Sequence, residues 1–300
     1  MPEYDSALFL YNGNAGSEDI EEKLTQTLPI LSQHVKKMTV IQTETIEEAQ
    51  ETCVVFSPKI DLLIILGGDG TVHACINAIA PLKNRPVIGI LPAGTANDFS
   101  RTLQISQNLH EAVQAIVKGD VVHVDISKTD NRYFLNFWGI GLVAETSQNI
   151  DGEQKKNWGV LSYFISTIRT VNQAEAFQYE IITDEDEYSG DAILIIVLNG
   201  KFIGTRELPI PSIQANDGKL DVLIIKNSTL TSFIELLSMN NPNTDEEQFT
   251  ELEYFQTKEL KISTSIDKEI DMDGEIAGTT PDKITVLPGH LRMIKGSEVP

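Results

Sequence analysis

Hydrophobic and polar positions along this chain follow two different patterns, and the change falls near residue 125. In the first part, short apolar runs alternate with helical spacings. Ala7-Leu8-Phe9-Leu10-Tyr11 predicts a strand and Asp19 to His34 a helix; Met38 to Gln42 and Ile46 to Phe56 repeat the pair. Leu62-Leu63-Ile64-Ile65-Leu66 is a continuous apolar run, as expected of a parallel strand covered on both faces. Val72 to Ile79 then predicts a helix, Val87 to Leu91 a strand and Leu109 to Val117 a helix. Strands alternating with helices predict right-handed βαβ units and a doubly wound α/β sheet.

Val121 to Asp125 reads as a further strand, ending at Asp125, and after it strand-like runs follow one another. They are Tyr133 to Trp138, Phe177 to Thr183, Ala192 to Leu198, Leu220 to Ile225, Glu259 to Ser263, Ile270 to Met272, Ile284 to Leu287 and Leu291 to Ile294. Two helical patterns interrupt them, Gly159 to Val171 and Thr229 to Met239. The series predicts an antiparallel β-sandwich or barrel. The expected organisation is an α/β, doubly wound (Rossmann-like) domain over 1–125 and a β-sandwich domain over 126–300. The last segment is free to pack back on the first domain. The acidic stretches Asp184 to Glu187 and Asp245 to Glu253 read as a hairpin tip and solvated loops.

Composition narrows the function classes. Forty-four acids against 23 bases leave a net charge of −21 over 300 residues. The chain is therefore a poor candidate for nucleic acid, which is bound by neutralising phosphates with Lys and Arg, and none is expected as a partner. An anionic membrane surface suits the chain only where a local patch opposes that charge. Cys53 and Cys75 have no C-x-x-C spacing and predict a reducing compartment. The opening MPEYDSALFL lacks a basic leader, and no apolar run approaches the ~18 residues of a spanning helix. A cytoplasmic protein is expected.

The sharpest chemical signal is Gly67-Gly68-Asp69-Gly70-Thr71, directly after the buried strand and before a helix. Three glycines in four positions let the backbone take positive φ and let a ligand approach the amides. Amides at a helix N-terminus favour phosphate, and Asp69 beside a polyphosphate makes sense with Mg²⁺ between them. The plainer alternative is a strand–helix turn with Asp69 or Thr71 as N-cap. Leu91-Pro92-Ala93-Gly94-Thr95-Ala96-Asn97-Asp98-Phe99-Ser100-Arg101 ends the next strand, where open α/β sheets bind ligands. Alone it reads as a loop with a capped helix; beside the first motif it reads as the other wall of one cleft. Asp125 could bring a third carboxylate to the same mouth.

Other patterns are weaker. Gly139-Ile140-Gly141-Leu142-Val143-Ala144 fits the dinucleotide spacing but lacks the acid expected about 20 residues on, and reads as a turn. Asn12-Gly13-Asn14-Ala15-Gly16-Ser17 has no Gly-Lys-Ser/Thr ending, so it is not a Walker loop. The five histidines and two separated cysteines offer no zinc spacing. In Ile270-Asp271-Met272-Asp273-Gly274-Glu275, Asp271 and Asp273 would share a strand face and Gly274 would turn Glu275 back. A Glu there could accept a proton from a hydroxyl nucleophile; a hairpin Asp-Gly turn is the competing reading.

Together these residues resemble the bacterial soluble diacylglycerol kinase family, relatives of sphingosine kinases and, more distantly, of NAD kinases and phosphofructokinases. The GGDGT at 67–71 is common to that superfamily, and LPAGTANDFSR at 91–101 is its lipid-kinase form. Asn12 with Gly16, Thr43, Asp125, the GIG at 139–141, Trp158-Gly159, Asn216-Asp217-Gly218 and the DGE at 273–275 follow in order along almost the whole chain.

The resemblance implies an ATP- and Mg²⁺-dependent lipid kinase acting on the hydroxyl of a neutral lipid, with diacylglycerol converted to phosphatidic acid as the leading case. It implies ATP between the two domains, with phosphates over Gly67, Gly68, Asp69, Gly70 and Thr71 and over Asn12, Gly13, Asn14, Ala15 and Gly16. Thr43, Gly94, Thr95 and Asn97 would lie nearby. Asp69, Asp98 and Asp125 would form a carboxylate–water–Mg²⁺ network. Glu275, next to Asp273, would accept the lipid's proton, with Asp69 as the other candidate base. Asp217, with carbonyls around Gln214 and Lys219, resembles the family's separate structural Mg²⁺ loop.

The chain departs from the family pattern at Gly13, where Pro is usual, at Ser17, where a cation is usual, and at Ala74, where Glu is common. The loss at Ser17 removes positive charge from the phosphates, which Arg101 or Arg206 could replace. A soluble-substrate kinase of the NAD-kinase kind and a non-catalytic nucleotide- or lipid-binding regulator are the alternatives. Lys155, Lys156 and Trp158, where two cations and an interfacial ring adjoin apolar residues, read either as a membrane contact or as a helix start packed on the sandwich. An exposed sheet edge could support a homodimer.

Overall fold

In the computed structural model, which describes residues 4–13, 20–142, 175–241, 244 and 248–296, the chain forms two compact units. The first holds the chain up to Val124 and again from Gly289; the second is Asp125–Pro288.

The first unit is built from β1 (Tyr4–Asn12), α1 (Ile20–His34), β2 (Val35–Thr43), α2 (Ile46–Phe56), β3 (Leu62–Gly67), α3 (Asp69–Ile79), β4 (Val87–Pro92), α4 (Asp98–Thr102) and α5 (Leu109–Lys118). Its strands pair in parallel in the order β2-β1-β3-β4. Helix α1 packs against α5, and α2 against α3. Such a doubly wound sheet needs apolar side chains on both faces of its central strands, and β3 and β4 are buried along their whole length. The strand order reverses between β1 and β3, and at such a switch point a crevice opens outside the carboxyl ends. The loops after Asn12 and Gly67 flank that point.

Cys53 of α2 and Cys75 of α3 are both fully buried free thiols. Contact with Cys53, then burial, pushes the Cys75 thiol up.

Helix α3 begins at Asp69, three residues before the apolar spacing predicts. Gly68 already has the extended N-cap conformation, and its carbonyl accepts from Val72 N at 3.1 Å. Strand β5 (Asp120–Lys128) runs straight through Asp125 rather than ending there.

The second unit continues with β6 (Tyr133–Phe134), β7 (Phe137–Gly141), β8 (Phe177–Thr183), β9 (Glu187–Ala192), β10 (Leu194–Leu198), β11 (Phe202–Ile203), β12 (Arg206–Glu207) and β13 (Leu220–Ile225). Then come α6 (Leu230–Ser238), β14 (Leu252–Thr257), β15 (Glu259–Thr264), β16 (Glu269–Met272), β17 (Glu275–Thr279) and β18 (Asp282–Lys295). One antiparallel sheet has the order β14-β13-β10-β7-β16-β17; the other places β15 between β18 and β8, with β9 outside. Trp138, Ile195, Val197, Val222 and Ile224 of the first meet Ile181, Ile262 and Ile284 of the second in one core. The alternate residues Leu194, Ile196, Leu198, Leu223 and Ile225 pack on the other face, against Leu236 and Met239 at α6. Both faces of β10 and β13 are therefore covered, which is why their sequences lack the usual polar alternation.

Several expectations change. The run Tyr133 to Trp138 is two strands, β6 and β7, separated at Leu135-Asn136. The GIG at 139–141 is not a turn but the end of β7. Gly141 takes φ +83, and a β-carbon there would stand 2.3 Å from Ile193 O and 2.8 Å from the Phe177 ring, so a side chain is excluded. The acidic stretch expected as loop to Glu253 passes into β14 at Leu252. Two short strands predicted at 284–287 and 291–294 form the single β18, which passes through Pro288-Gly289 with Gly289 at φ +56. Its first residues pair with β15 in the second unit, and Met293 pairs with Ile88 of β4 in the first.

The acidic tip at 184–186 is a hairpin turn as read, closed by Thr183 Oγ1 accepting from Glu185 and Asp186 amides. Among the described residues no helix is long and apolar enough to cross a membrane. Asn14, Ala15, Gly16 and Ser17, the helix predicted over Gly159 to Val171, and Lys155, Lys156 and Trp158 lie outside the described residues.

Candidate active site

The carboxyl ends of β3 and β4 carry the two glycine motifs, and the structure brings them together. Gly67 pairs with Pro92, and Ala93 N donates to Gly67 O at 3.0 Å. A β-carbon on Gly68 would lie 2.9 Å from Gly94 Cα, and one on Gly94 would lie 2.5 Å from Gly68 Cα. Only two glycines permit this approach. It leaves backbone amides, not side chains, around the N-terminus of α3.

Asp69 fastens the second loop to the first. Its Oδ2 accepts from Asn97 N and its Oδ1 from Asp98 N, both at 2.7 Å. Such short bonds from amides to a carboxylate are charge-assisted. Asn97 takes the left-handed conformation at φ +54, tolerable for Asn. Its side chain closes the loop on itself, with Oδ1 accepting from Gly94 N and Nδ2 donating to Gly94 O, each at 2.9 Å. Gln107 extends the lattice, accepting from Asn97 Nδ2 at 3.1 Å and donating to Ser100 Oγ at 3.0 Å. Asp98 is buried at the start of α4.

Beside this loop lies a polar cavity of 590 Å³, lined in part by Lys23 and Gln26 of α1, Gly94, Thr95, Arg101 and Gln107. Arg101 is held by Nε donating to Ala96 O at 2.9 Å. Lys23 carries no motif signature, and its position in the wall emerges only when α1 is folded against the sheet. Thr95 and Gly94 are exposed in the cavity rim.

Asn12 pairs with Thr43, and Gly13 N donates to Thr43 O at 3.0 Å. Thr43 is fully buried and its hydroxyl donates to Tyr11 O at 3.3 Å. Its observed role is to hold the root of the first loop.

The remaining candidates lie in the second unit. Asp125 is buried; its Oδ2 accepts from Gly218 N at 2.6 Å, and its own amide donates to Ala215 O. The 214–219 loop is thus tied to β5. Asp217 Oδ1 accepts from Lys219 N at 3.0 Å. Desolvation pushes the Asp217 carboxyl up, and the negative charge of Asp125 adds to the rise against the Lys219 amide. Two carboxylates kept close in this way are a chemical match for a divalent cation. The Gln214 and Lys219 side chains are exposed, and Lys219 Nζ donates to Gln256 Oε1 at 3.0 Å.

Asp271, Asp273 and Glu275 separate in role. The β16–β17 hairpin turns through Asp273 at φ +53 and Gly274 at φ +92, the paired positive φ of an Asp-Gly turn. Asp271 is fully buried and its Oδ1 accepts from Gly274 N at 2.8 Å. Asp273 accepts three amides: Leu135 N at 2.9 Å, Asn136 N at 2.8 Å and Phe137 N at 3.0 Å. That is the geometry of a structural clamp, which holds the Leu135–Phe137 segment to the hairpin turn. Glu275 is exposed at the start of β17.

Among the described residues no three His, Cys, Asp or Glu side chains form a ready-made metal cage. Mg²⁺ does not need one: it is commonly held by one or two carboxylates together with substrate phosphates.

Comparison with known proteins agrees with this arrangement. Residues 6–129 match the diacylglycerol kinase catalytic domain, and residues 139–295 match the YegS C-terminal NAD kinase beta sandwich-like domain. A curated Staphylococcus aureus protein named "Putative lipid kinase" is 30% identical over 97% of both chains. A Bacillus anthracis crystal structure described as a diacylglycerol kinase is 39% identical, covers 100% of both chains and superposes with a TM-score of 0.87. A second from that organism, described as a "putative diacylglycerol kinase", is 38% identical over 100% of both chains, with a TM-score of 0.91. With a catalytic α/β unit and a sandwich unit both matched along their length, this chain belongs to the diacylglycerol kinase family of lipid kinases.

Proposed function

We propose that the protein transfers the γ-phosphoryl group of ATP to the hydroxyl of a neutral membrane lipid, with diacylglycerol as acceptor and phosphatidic acid as product. The observation that carries this reading is the Asp69 clamp. Two 2.7 Å bonds and the Gly68–Gly94 contact hold both loops as one amide-lined mouth at the N-terminus of α3. Amides fixed in this way can stabilise charge on a transferring phosphoryl group without reorganising.

The lipid oxygen attacks the γ-phosphorus in line, the bond to the β-phosphate oxygen breaks, and ADP leaves. The hydroxyl proton passes to a carboxylate, for which Glu275 is the candidate because Asp273 already receives three amides. Lys23 and Arg101 in the cavity wall would supply the positive charge that the Ser17 position lacks. Mg²⁺, when bound, would neutralise phosphate charge; Asp69 and Asp98 would hold it in the first unit, and Asp217 with Asp125 a second ion in the other.

The test is Mg²⁺-dependent transfer of labelled γ-phosphate from ATP to diacylglycerol in mixed micelles and to a total lipid extract, with Asp69→Ala alongside. A labelled lipid lost in the variant supports the reading, and its chromatographic position names the acceptor. ATP binding without any lipid product would overturn it in favour of a soluble substrate or a regulatory role.

A further inference from the structure

Helix α6 carries an apolar stripe on the side away from the sandwich. Ser232, Leu236 and Met239 face inward and are buried. Leu230, Ile234 and Leu237, spaced i, i+4 and i+7 on one face, are 68%, 56% and 50% exposed. These are three of the most exposed large apolar side chains described in the protein. Phe233, half-buried, lies along their edge.

Charge is withdrawn from the same face. From Asn227 to Thr244 the only ionisable side chain is Glu235, in a chain with 22% charged residues and a net charge of −21. Glu235 turns away from the stripe. One oxygen accepts from Thr250 N at 2.9 Å and Thr250 Oγ1 at 3.0 Å, the other from Glu251 N and Leu252 N at 3.0 Å. The helix is set by a Thr229–Ser232 capping box, so the stripe is presented on a fixed element.

We propose that this face docks the protein on a lipid bilayer, with α6 lying in the interfacial plane and Leu230, Ile234 and Leu237 entering the acyl boundary. A bilayer is the occupant that fits. A lipid kinase must reach an acceptor held in a membrane, and a helix whose outward stripe is Leu230, Ile234 and Leu237 presents no carboxylate of its own to the lipid. The three side chains expose on the order of 300 Å², far below the ~800 Å² per partner of a stable protein interface. A second copy of the chain is thereby disfavoured. The proposal goes beyond the reading above by naming where the enzyme meets its lipid, and it rests on that acceptor being membrane-borne.

Its test uses the full chain with phosphatidylcholine vesicles containing a minor fraction of diacylglycerol, read by co-sedimentation. Wild type should pellet with the vesicles, while Ile234→Asp and the double variant L230S/L237S should bind at least tenfold more weakly with unchanged melting temperatures. Turnover on a short-chain diacylglycerol dispersed as monomers should be retained in both. Vesicle binding equal to wild type in both variants, or no binding by wild type, overturns the proposal. So does a concentration-dependent wild-type dimer that Ile234→Asp abolishes, which would assign the face to a second copy. If neither form of diacylglycerol is phosphorylated but the variants still lose vesicle binding, the kinase reading fails and this docking face stands.

Discussion

Replacing Asp273 by Asn separates a structural carboxylate from a catalytic one. Asn tolerates the left-handed conformation that residue 273 adopts at φ +53, so the turn itself survives. The Oδ1 position, which receives Asn136 N and Phe137 N, remains an acceptor, now neutral. The Oδ2 position becomes an NH₂ facing Leu135 N–H, a donor against a donor at a buried residue. Bonds to a charged acceptor are worth about 1.5–3 kcal/mol against ~1 for neutral ones, and a stranded buried amide costs about 1–3. The net loss should be about 3 kcal/mol. At roughly 2–4 °C per kcal/mol for a unit of this size, melting should fall by ~6–12 °C. Urea unfolding measures the loss, and phosphoryl transfer per folded molecule should stay within about threefold of wild type. A variant as stable as wild type whose kcat has collapsed would refute the clamp and restore Asp273 to the chemistry.

Three further outcomes follow from the geometry. Gly94→Ala places a β-carbon 2.5 Å from Gly68 Cα and 3.0 Å from Asn97 Oδ1; forcing the loops apart should weaken ATP binding by calorimetry about tenfold or more, ~1.4 kcal/mol, and unchanged affinity would count against the shared mouth. Asp221 is fully buried, with Oδ2 unpartnered, and burial pushes its carboxyl up despite the bonds from Tyr254 and Gln256 to Oδ1. A raised carboxyl favours the native state only while protonated, and that stability is lost as pH rises from about 4 through the native pKa. Asp221→Asn keeps the Oδ1 acceptor and should therefore unfold at higher urea at pH 7, by ~1 kcal/mol, with the gain fading below about pH 4; a loss at pH 7 contradicts this. Glu275→Gln, at an exposed position, should cut kcat about 10²-fold or more with unchanged melting if Glu275 is the proton acceptor.

The parts of the fold readable from sequence are those decided locally. Runs such as Leu62 to Leu66 and Leu194 to Leu198 announce strands covered on both faces, and three glycines around Asp69 announce a phosphate-type loop. What was hidden depends on distant partners. The break between β6 and β7 at Leu135-Asn136 is possible because Asp273, far along the chain, accepts the amides released there. Gly141 looks like a turn residue, yet its lack of a side chain answers to Ile193 O. Pro288-Gly289 is a breaker signal by every local rule, and pairing on both sides carries β18 through it. At the site, Asp69 was legible as a carboxylate beside phosphate. Its hold on Asn97 and Asp98 was not, because nothing within 28 residues reports it. Lys23 sits in an ordinary helical pattern and gains meaning only from the cavity it lines.

The last strand also sets an order of events during synthesis. The first unit is interrupted: Met293 must pair with Ile88, and Leu291, Met293 and Ile294 must fill its core, yet residues 125–288 are made in between. At ~5–20 residues per second, the nascent β4 edge waits on the order of ten seconds or more for its neighbour. During that interval the parallel sheet presents an unpaired edge, while the sandwich inserted into it can close on its own. A chain stopped ahead of Gly289 should therefore hold an assembled second unit and an unfinished first one, so that loss of the last strand appears in the unit that was made first.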